Sequence, residues 1–422
     1  MRSRVLLALF VMTLMIGQAA RAQRETDSLK EEVQTLREKL DGVVENLTTV
    51  NSDVGILKHL KVSGYLQARY EYIDTVLSGT APNSNSNIYI RRGRIKFSFQ
   101  PGSSSKYVIY FDASKNLVSL KEAYVELYKR IQQHNFALTV GQQNLPFGYE
   151  IEYSSSKRDF PERSLAENTL FKGERDRGIN LTWGLPKYLR FNLGVFQGAG
   201  IDDATFTWFD PTKQKDIIAR AKAKLGMVDF GLSSYWGKRT VPGSAAVAGI
   251  TTWFDANGDS VIQTNEVKAT PAKAAVAATG YEKRRYGIDA QAYFDVLPVG
   301  GSAVRTEFYY GDDYSSSASD KMASGKGFYF WLSQTLGKKF AAAARYDFWD
   351  PNVHGDYTDG SPKKKDDATG TMSLAMHYYW DSWVRVTAAY DMPRLLKDGS
   401  LTSKSPYDPK DNRFTLQFQF TI

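Results

Sequence analysis

The chain has 422 residues, of which 42% are hydrophobic, 13% aromatic and 24% charged, with a formal net charge of +8. It contains no cysteine, which excludes disulfides, zinc–thiolate centres and thiol nucleophiles; its four histidines, His59, His134, His354 and His377, share no ligand spacing. The basic excess is small for this length and is not gathered into a stripe, so nucleic acid is not an expected partner.

The N-terminus reads as a secretory signal over residues 1–22. Arg2 and Arg4 precede an apolar run at 5–16 that is too short to span a bilayer, and Ala20-Arg21-Ala22 supplies a small-x-small cleavage site. Residues 23–60 then change texture. Leu29, Val33, Leu36, Leu40, Val43, Leu47, Val50, Val54 and Leu57 recur at alternating spacings of four and three, with charged residues between them. That 3.5-residue period predicts a periplasmic α-helical coiled coil, begun at an Asp27 cap and weakened by Gly42 and Gly55. No later apolar run is long enough for a membrane helix.

From residue 61 the period becomes two. Tyr65, Gln67, Arg69 and Glu71 fall on one face, and Leu66, Ala68, Tyr70 and Tyr72 on the other. Sixteen such segments follow: 61–72, 88–100, 106–115, 120–130, 135–143, 178–184, 188–197, 217–225, 227–236, 285–296, 303–310, 327–336, 340–349, 369–379, 383–390 and 412–422. About ten residues per strand, tilted, cover roughly 25 Å of hydrocarbon. The connections alternate between short turns and long polar loops (73–87, 144–177, 198–216, 237–284, 311–326, 350–368, 391–411), with one short exception near 115–119. Strands in lipid have no water for their N–H and C=O groups, so the sheet must close. The expected domain at 61–422 is therefore an all-β transmembrane barrel of 16 antiparallel strands, both ends periplasmic, in the outer membrane with lipid as its solvent.

Sixteen strands leave a water-filled channel. Alternation places Arg69, Arg92, Arg94, Lys96, Arg220, Lys222, Lys224, Arg285, Arg305, Arg345, Arg385 and Arg413 on the lumen face. The acidic residues there are Glu71, Asp112, Glu122, Glu126, Asp289, Glu307 and Asp347. Two ladders, Arg92/Arg94/Lys96 and Arg220/Lys222/Lys224, put three cations on one side of one strand, an arrangement that draws anions through a narrow pore.

The loop after the fifth segment holds Gly141-Gln142-Gln143-Asn144-Leu145-Pro146-Phe147-Gly148-Tyr149-Glu150, then Phe160-Pro161-Glu162-Arg163, then Gly173-Glu174-Arg175-Asp176-Arg177-Gly178. With the leader, the stalk and the barrel pattern, these segments resemble the phosphate-selective porin O and P family. The resemblance implies a homotrimer of sixteen-stranded barrels, each narrowed by this loop, passing phosphate or similar inorganic anions. Phe147, Arg158, Glu162, Arg163, Arg175, Asp176 and Arg177 are the expected constriction residues. The loop's basic and acidic residues nearly balance, so it is also suited to tying itself down through salt bridges.

In the loop at 237–284, residues 255–266 match a twelve-residue calcium loop. Asp255, Asn257 and Asp259 stand at positions 1, 3 and 5; Val261 offers a carbonyl, Gln263 the ninth position and Glu266 a bidentate end. Ser260 departs from the pattern where the sharp turn favours glycine. A structural Ca²⁺ in an extracellular loop is the expectation. No G-x-S-x-G, H-E-x-x-H or Walker A motif appears, so an enzyme is not expected. The leading expectation is passive diffusion of small solutes, anions such as phosphate among them. A general diffusion porin and a stalked envelope tether are the alternatives.

Overall fold

The computed structural model describes residues 2–422 except 75–85, 115–116, 186–187, 202–213, 242, 278, 296, 314–322, 352, 354–367 and 397–411. His354 and much of the long loops at 73–87, 198–216, 311–326, 350–368 and 391–411 therefore lie outside the described residues. Two compact units divide after residue 61.

The first unit is one helix, α1 (Arg2–Lys58), of 57 residues. It begins at Arg2 and runs through Asp27, so Asp27 is not its cap: the apolar run at 5–16 is itself good helix material and continues into the heptads without a break. Gly42 and Gly55 sit inside the helix without ending it. All nine seam residues, from Leu29 to Leu57, are exposed in the single chain, by 42–61%.

The second unit is a closed barrel of sixteen antiparallel strands. They are β1 (Leu60–Ile73), β2 (Ser86–Phe99), β3 (Ser105–Asp112), β4 (Ser119–Ile131), β5 (His134–Asn144), β6 (Arg175–Leu185), β7 (Leu189–Phe196), β8 (Asp216–Leu225) and β9 (Val228–Val241), then β12 (Thr279–Phe294), β13 (Ser302–Asp313), β14 (Ala323–Leu336), β15 (Phe340–Asp350), β16 (Thr369–Tyr379), β17 (Val384–Leu395) and β18 (Arg413–Thr421). Between β9 and β12 lies a separate hairpin, β10 (Ile250–Trp253) and β11 (Val267–Thr270). The barrel closes where β1 pairs with β18, Tyr65 opposite Thr421 and Ile73 opposite Arg413. Every expected segment is a strand. β9 and β12 run past their expected ends at 236 and 285, because their pairing continues to Val241 opposite Thr279 among residues too polar for an apolar period to register.

Side chains divide as alternation requires. Leu66, Tyr72, Ile95, Leu181, Phe191, Leu232, Phe330, Leu374, Phe418 and Phe420 are exposed on the outer face, while Gln67, Arg69, Arg220, Asp289, Glu307 and Thr415 are buried on the inner one. The lumen also holds an apolar core. Leu145, Phe147, Ile151, Phe160, Leu170 and Phe171, all from the segment between β5 and β6, pack with inward Phe196, Ile218, Tyr235, Tyr309, Tyr329 and Trp331. Each such fully buried side chain contributes about 1.5–3 kcal/mol toward holding the segment inside the barrel.

Candidate functional site

The segment from 145 to 174 carries two short helices, α2 (Tyr149–Glu152) and α3 (Leu165–Leu170), and is fastened to the wall at several points. The backbone N–H groups of Tyr149 and Glu150 donate to the Glu307 carboxylate at 3.0 and 3.1 Å, and the Tyr329 hydroxyl donates to the same group at 3.0 Å. Gly148, at φ 59°, donates its N–H to Ser233 Oγ at 3.0 Å. A Cβ there would overlap the Glu307 carboxylate, so both the conformation and the space require glycine. Ser164 caps α3, donating its own N–H (3.1 Å) and hydroxyl (2.7 Å) to Glu150. The Leu165 N–H reaches Asp347 at 2.7 Å.

Charged groups complete the attachment. Glu162 receives Arg69 Nη1 at 2.6 Å, Arg91 Nε at 2.7 Å and Nη2 at 3.1 Å, and Arg92 Nη2 at 3.3 Å. Desolvation would raise its pKa, but Arg92, Arg69 and Arg91 outweigh it and hold the carboxyl well below the usual range. Asp159 accepts from Trp331 Nε1 at 3.0 Å and faces Arg305 at 3.5 Å. Arg345 donates to the Glu162 carbonyl at 3.1 Å, and Arg385 to the carbonyls of Ser156 and Arg158, each at 3.1 Å. Arg163 pairs with Glu174 and Glu167.

The expected ladders are inward, and most of their charge is matched. Arg92 faces Glu162, Arg94 pairs with Asp112 at 2.7 Å, Lys96 with Glu122 at 2.8 Å, and Arg220 with Asp289 at 3.1 Å. Lys224 lies 3.9 Å from Asp229. Arg175 shares Glu122 at 3.1 Å; Asp176 accepts the N–H groups of Gly198 and Arg177 at 2.6 and 2.7 Å; Arg177 is half-buried beside it. Phe147, 0% exposed, stacks against Phe171 and is a packing residue. Lys222 alone of the six ladder cations has no ion-pair or hydrogen-bond partner among the described residues. So does Arg190, its direct cross-strand neighbour.

Alternation missed two of these residues. Arg91 and Arg92 are consecutive yet reach the same carboxylate, so a strict period of two fails there. Arg190 is the second residue of β7, inside the alternating segment at 188–197, and was not counted among the lumen cations. Cavities beside the segment run along this part of the wall. One of about 270 Å³ is lined by Arg94, Lys96, Glu122, Asn144, Glu152 and Arg175. A second, of about 320 Å³, shares Lys96, Glu122, Asn144 and Glu152 and adds Thr182 and Arg190. Arg190 also lines a recess of about 970 Å³ at the short-turn end, with Arg130, Lys222 and Lys224.

In the loop beyond β9, Asp255 accepts the N–H groups of Gly258 (2.7 Å) and Ser260 (2.8 Å), Asn257 that of Asp259 (3.1 Å), Asp259 that of Val261 (2.8 Å), and Glu266 that of Ala256 (3.0 Å). Gln263 donates to Asp259 at 2.8 Å. Ser260 takes φ 59°, the left-handed turn that glycine would otherwise supply. The N–H groups of Ser260 and Gly258 hold the Asp255 carboxyl below its ordinary pKa. Among the described residues no three or more His, Cys, Asp or Glu side chains converge in a metal-holding group.

The family model for phosphate-selective porin O and P matches residues 60–422. No curated protein matches the sequence significantly. Among solved structures, the outer-membrane channel DcaP of Acinetobacter baumannii aligns with TM-score 0.56 at 11% identity, covering 86% of this chain and 97% of its own. OmpT of Vibrio cholerae, in its trimer form, aligns at 0.54 and 10%, covering 86% and 99%. An anion-selective porin from Comamonas acidovorans gives 0.53 and 10%, again covering 86% and 99%. These likenesses are of fold.

Proposed function

The chain belongs to the phosphate-selective porin O and P family and is an outer-membrane porin; from that premise we propose that it passes small anions, phosphate-sized oxyanions among them, down their gradients. The observation that carries this reading is a pair of lumen cations with no ion-pair or hydrogen-bond partner among the described residues. Lys222 and Arg190 stand opposite each other on β8 and β7, and Arg190 borders both the cavity beside the inward segment and the recess at the short-turn end. Unneutralised cations at a pore mouth raise the local anion concentration, whereas paired ladder residues mainly hold the wall and the loop together. In a bilayer holding a KCl gradient, the reversal potential should report anion preference, and Lys222→Glu/Arg190→Glu should reduce it or reverse its sign. An unchanged reversal potential favours a general diffusion porin.

Three further assignments belong to this reading. The short turns face the periplasm, with residues 1–22 as a cleaved leader and 23–60 as a periplasmic coiled coil. The exposed seam of α1 supports this, because nine apolar side chains in one stripe need a partner helix. A homotrimer would supply it, and the trimer form of the Vibrio cholerae relative in fold is compatible with that assembly. Asp255, Asn257, Asp259, the Val261 carbonyl, Gln263 and Glu266 would hold a Ca²⁺ that orders the extracellular loop. The positive φ of Ser260 and the oxygen donors at alternate positions support it.

A further inference from the structure

At the short-turn end of the lumen, residues directly opposite one another form a row across six strands: Arg130 on β4, Asn135 on β5, Gly184 on β6, Arg190 on β7, Lys222 on β8 and Gly231 on β9. The row holds three cations and no carboxylate. The next residue along it, Asp289 on β12, is engaged by Arg220 at 3.1 Å. Like charges directly opposite on neighbouring strands, as Arg190 and Lys222 are, destabilise a sheet, so this pair calls for a counter-charge between them. The flanking glycines, Gly184 and Gly231, supply neither an acceptor side chain nor bulk. All of the row except Gly231 lines the recess of about 970 Å³. That is the size of a site for an organic molecule, and a lone inorganic oxyanion would leave most of it to water. Two aromatic rings share the lining: Tyr128, whose row continues through the small residues Ala137 and Thr182, and Tyr188, which is 66% exposed. Asp229 is the only carboxylate among the described lining residues, and it lies 3.9 Å from Lys224.

We propose that this recess is a binding vestibule for amphipathic organic anions, molecules that carry one carboxylate or sulfonate on a flat apolar body. The anionic head sits between Arg190 and Lys222, where the Arg190 guanidinium offers a planar fork of donors and the Lys222 ammonium a point charge. The body lies against the rings of Tyr128 and Tyr188, which present apolar faces at low conformational cost. Gly184 leaves the wall beside the head open. Charge draws the molecule in, and apolar contact selects it over a small hydrated ion of the same charge. This inference rests on the anion-channel reading above and adds a class of solute and the place that receives it.

The test is block of KCl current by 1-naphthalenesulfonate, using the purified full-length protein in planar bilayers with the probe on both sides. Methanesulfonate, the same head without the body, is the comparison. In wild type the half-blocking concentration of 1-naphthalenesulfonate should be about tenfold or more below that of methanesulfonate, the scale expected when an aromatic body leaves water. Arg190→Gln/Lys222→Gln removes both charges and should raise the half-blocking concentration of 1-naphthalenesulfonate about tenfold. Tyr188→Ser should narrow the gap between the two sulfonates, and Tyr188→Phe should keep it. Heat-modifiable electrophoretic mobility reports that each variant has folded as a barrel. Equal block by the two sulfonates in wild type, with anion preference intact, overturns the proposal. So does block by 1-naphthalenesulfonate that is unchanged in Arg190→Gln/Lys222→Gln, since the probe would then be acting from the lipid or elsewhere in the pore. Loss of anion preference in the wild-type reversal potential would instead remove the channel reading beneath it.

Discussion

Phe147 shows how one side chain can decide the shape of a pore without touching what passes through it. It is fully buried between Phe171 and the wall glycine Gly287, at the centre of the lumenal core. Phe147→Ala removes a large side chain from a packed site, at a cost of about 3–5 kcal/mol. That cost falls on the inward segment, not on the strand ladder. Protease cleavage within 145–174 should therefore rise while the barrel's melting temperature changes little. Glu162 supplies a pH prediction. Its folded pKa is depressed, so its stabilising contribution is complete above the ordinary carboxylate value and is lost only as pH falls through the lower folded one. On acidification to roughly pH 4, where ordinary carboxylates are already half protonated, open-channel current should stay quieter in wild type than in Glu162→Gln; equal noise in the two at about pH 5 would contradict the three-arginine clamp. For the loop at 255–266, calorimetry with Ca²⁺ should show a binding event that Asp255→Ala/Glu266→Ala abolishes. Identical heats would remove the metal from the account.

At the scale of elements, helix and strands meet the same physical demand in different ways. A strand in lipid satisfies its backbone through its neighbours, and the closing pair of β1 and β18 leaves no edge. The helix satisfies its own backbone and leaves an apolar stripe exposed in the single chain, which the proposed trimer would cover with another copy. Leu36→Asp/Leu40→Asp places two charges in that stripe. In detergent it should lower the temperature at which trimers fall to monomers, with each barrel still folded by electrophoretic mobility; an unchanged transition would assign assembly to the barrel walls alone. The inward segment behaves differently from both. Its two helices are too short to persist alone, and they are held by Glu307, Asp347 and the lumen arginines.

For the whole molecule, the outer aromatic and aliphatic face and the ionic inner face are two halves of one alternating pattern. The folded protein should accordingly need detergent or lipid to stay dispersed, and behaviour as a soluble globular monomer would contradict the barrel in a membrane. All sixteen strands, their faces, and the alternation of turns and loops were legible in the amino-acid order, because a period of two is a local property that neighbouring residues carry between them. The continuity of α1 through Asp27 was not, since a capping residue competes with helix on both sides and the context decides. Nor was the joint reach of Arg91 and Arg92 to one carboxylate, because a strict alternation assigns consecutive residues to opposite faces.

Hydrophobic periodicity and short motifs along the chain were enough for a closed, membrane-embedded barrel, its strand number and the family it belongs to. Which lumen cations are neutralised could be read only from the folded ring. Arg94 and Asp112 lie on neighbouring strands, and Arg69 and Glu162 are 93 residues apart. Charge pairing depends on distance in space, and closing the ring while folding one loop into it sets those distances.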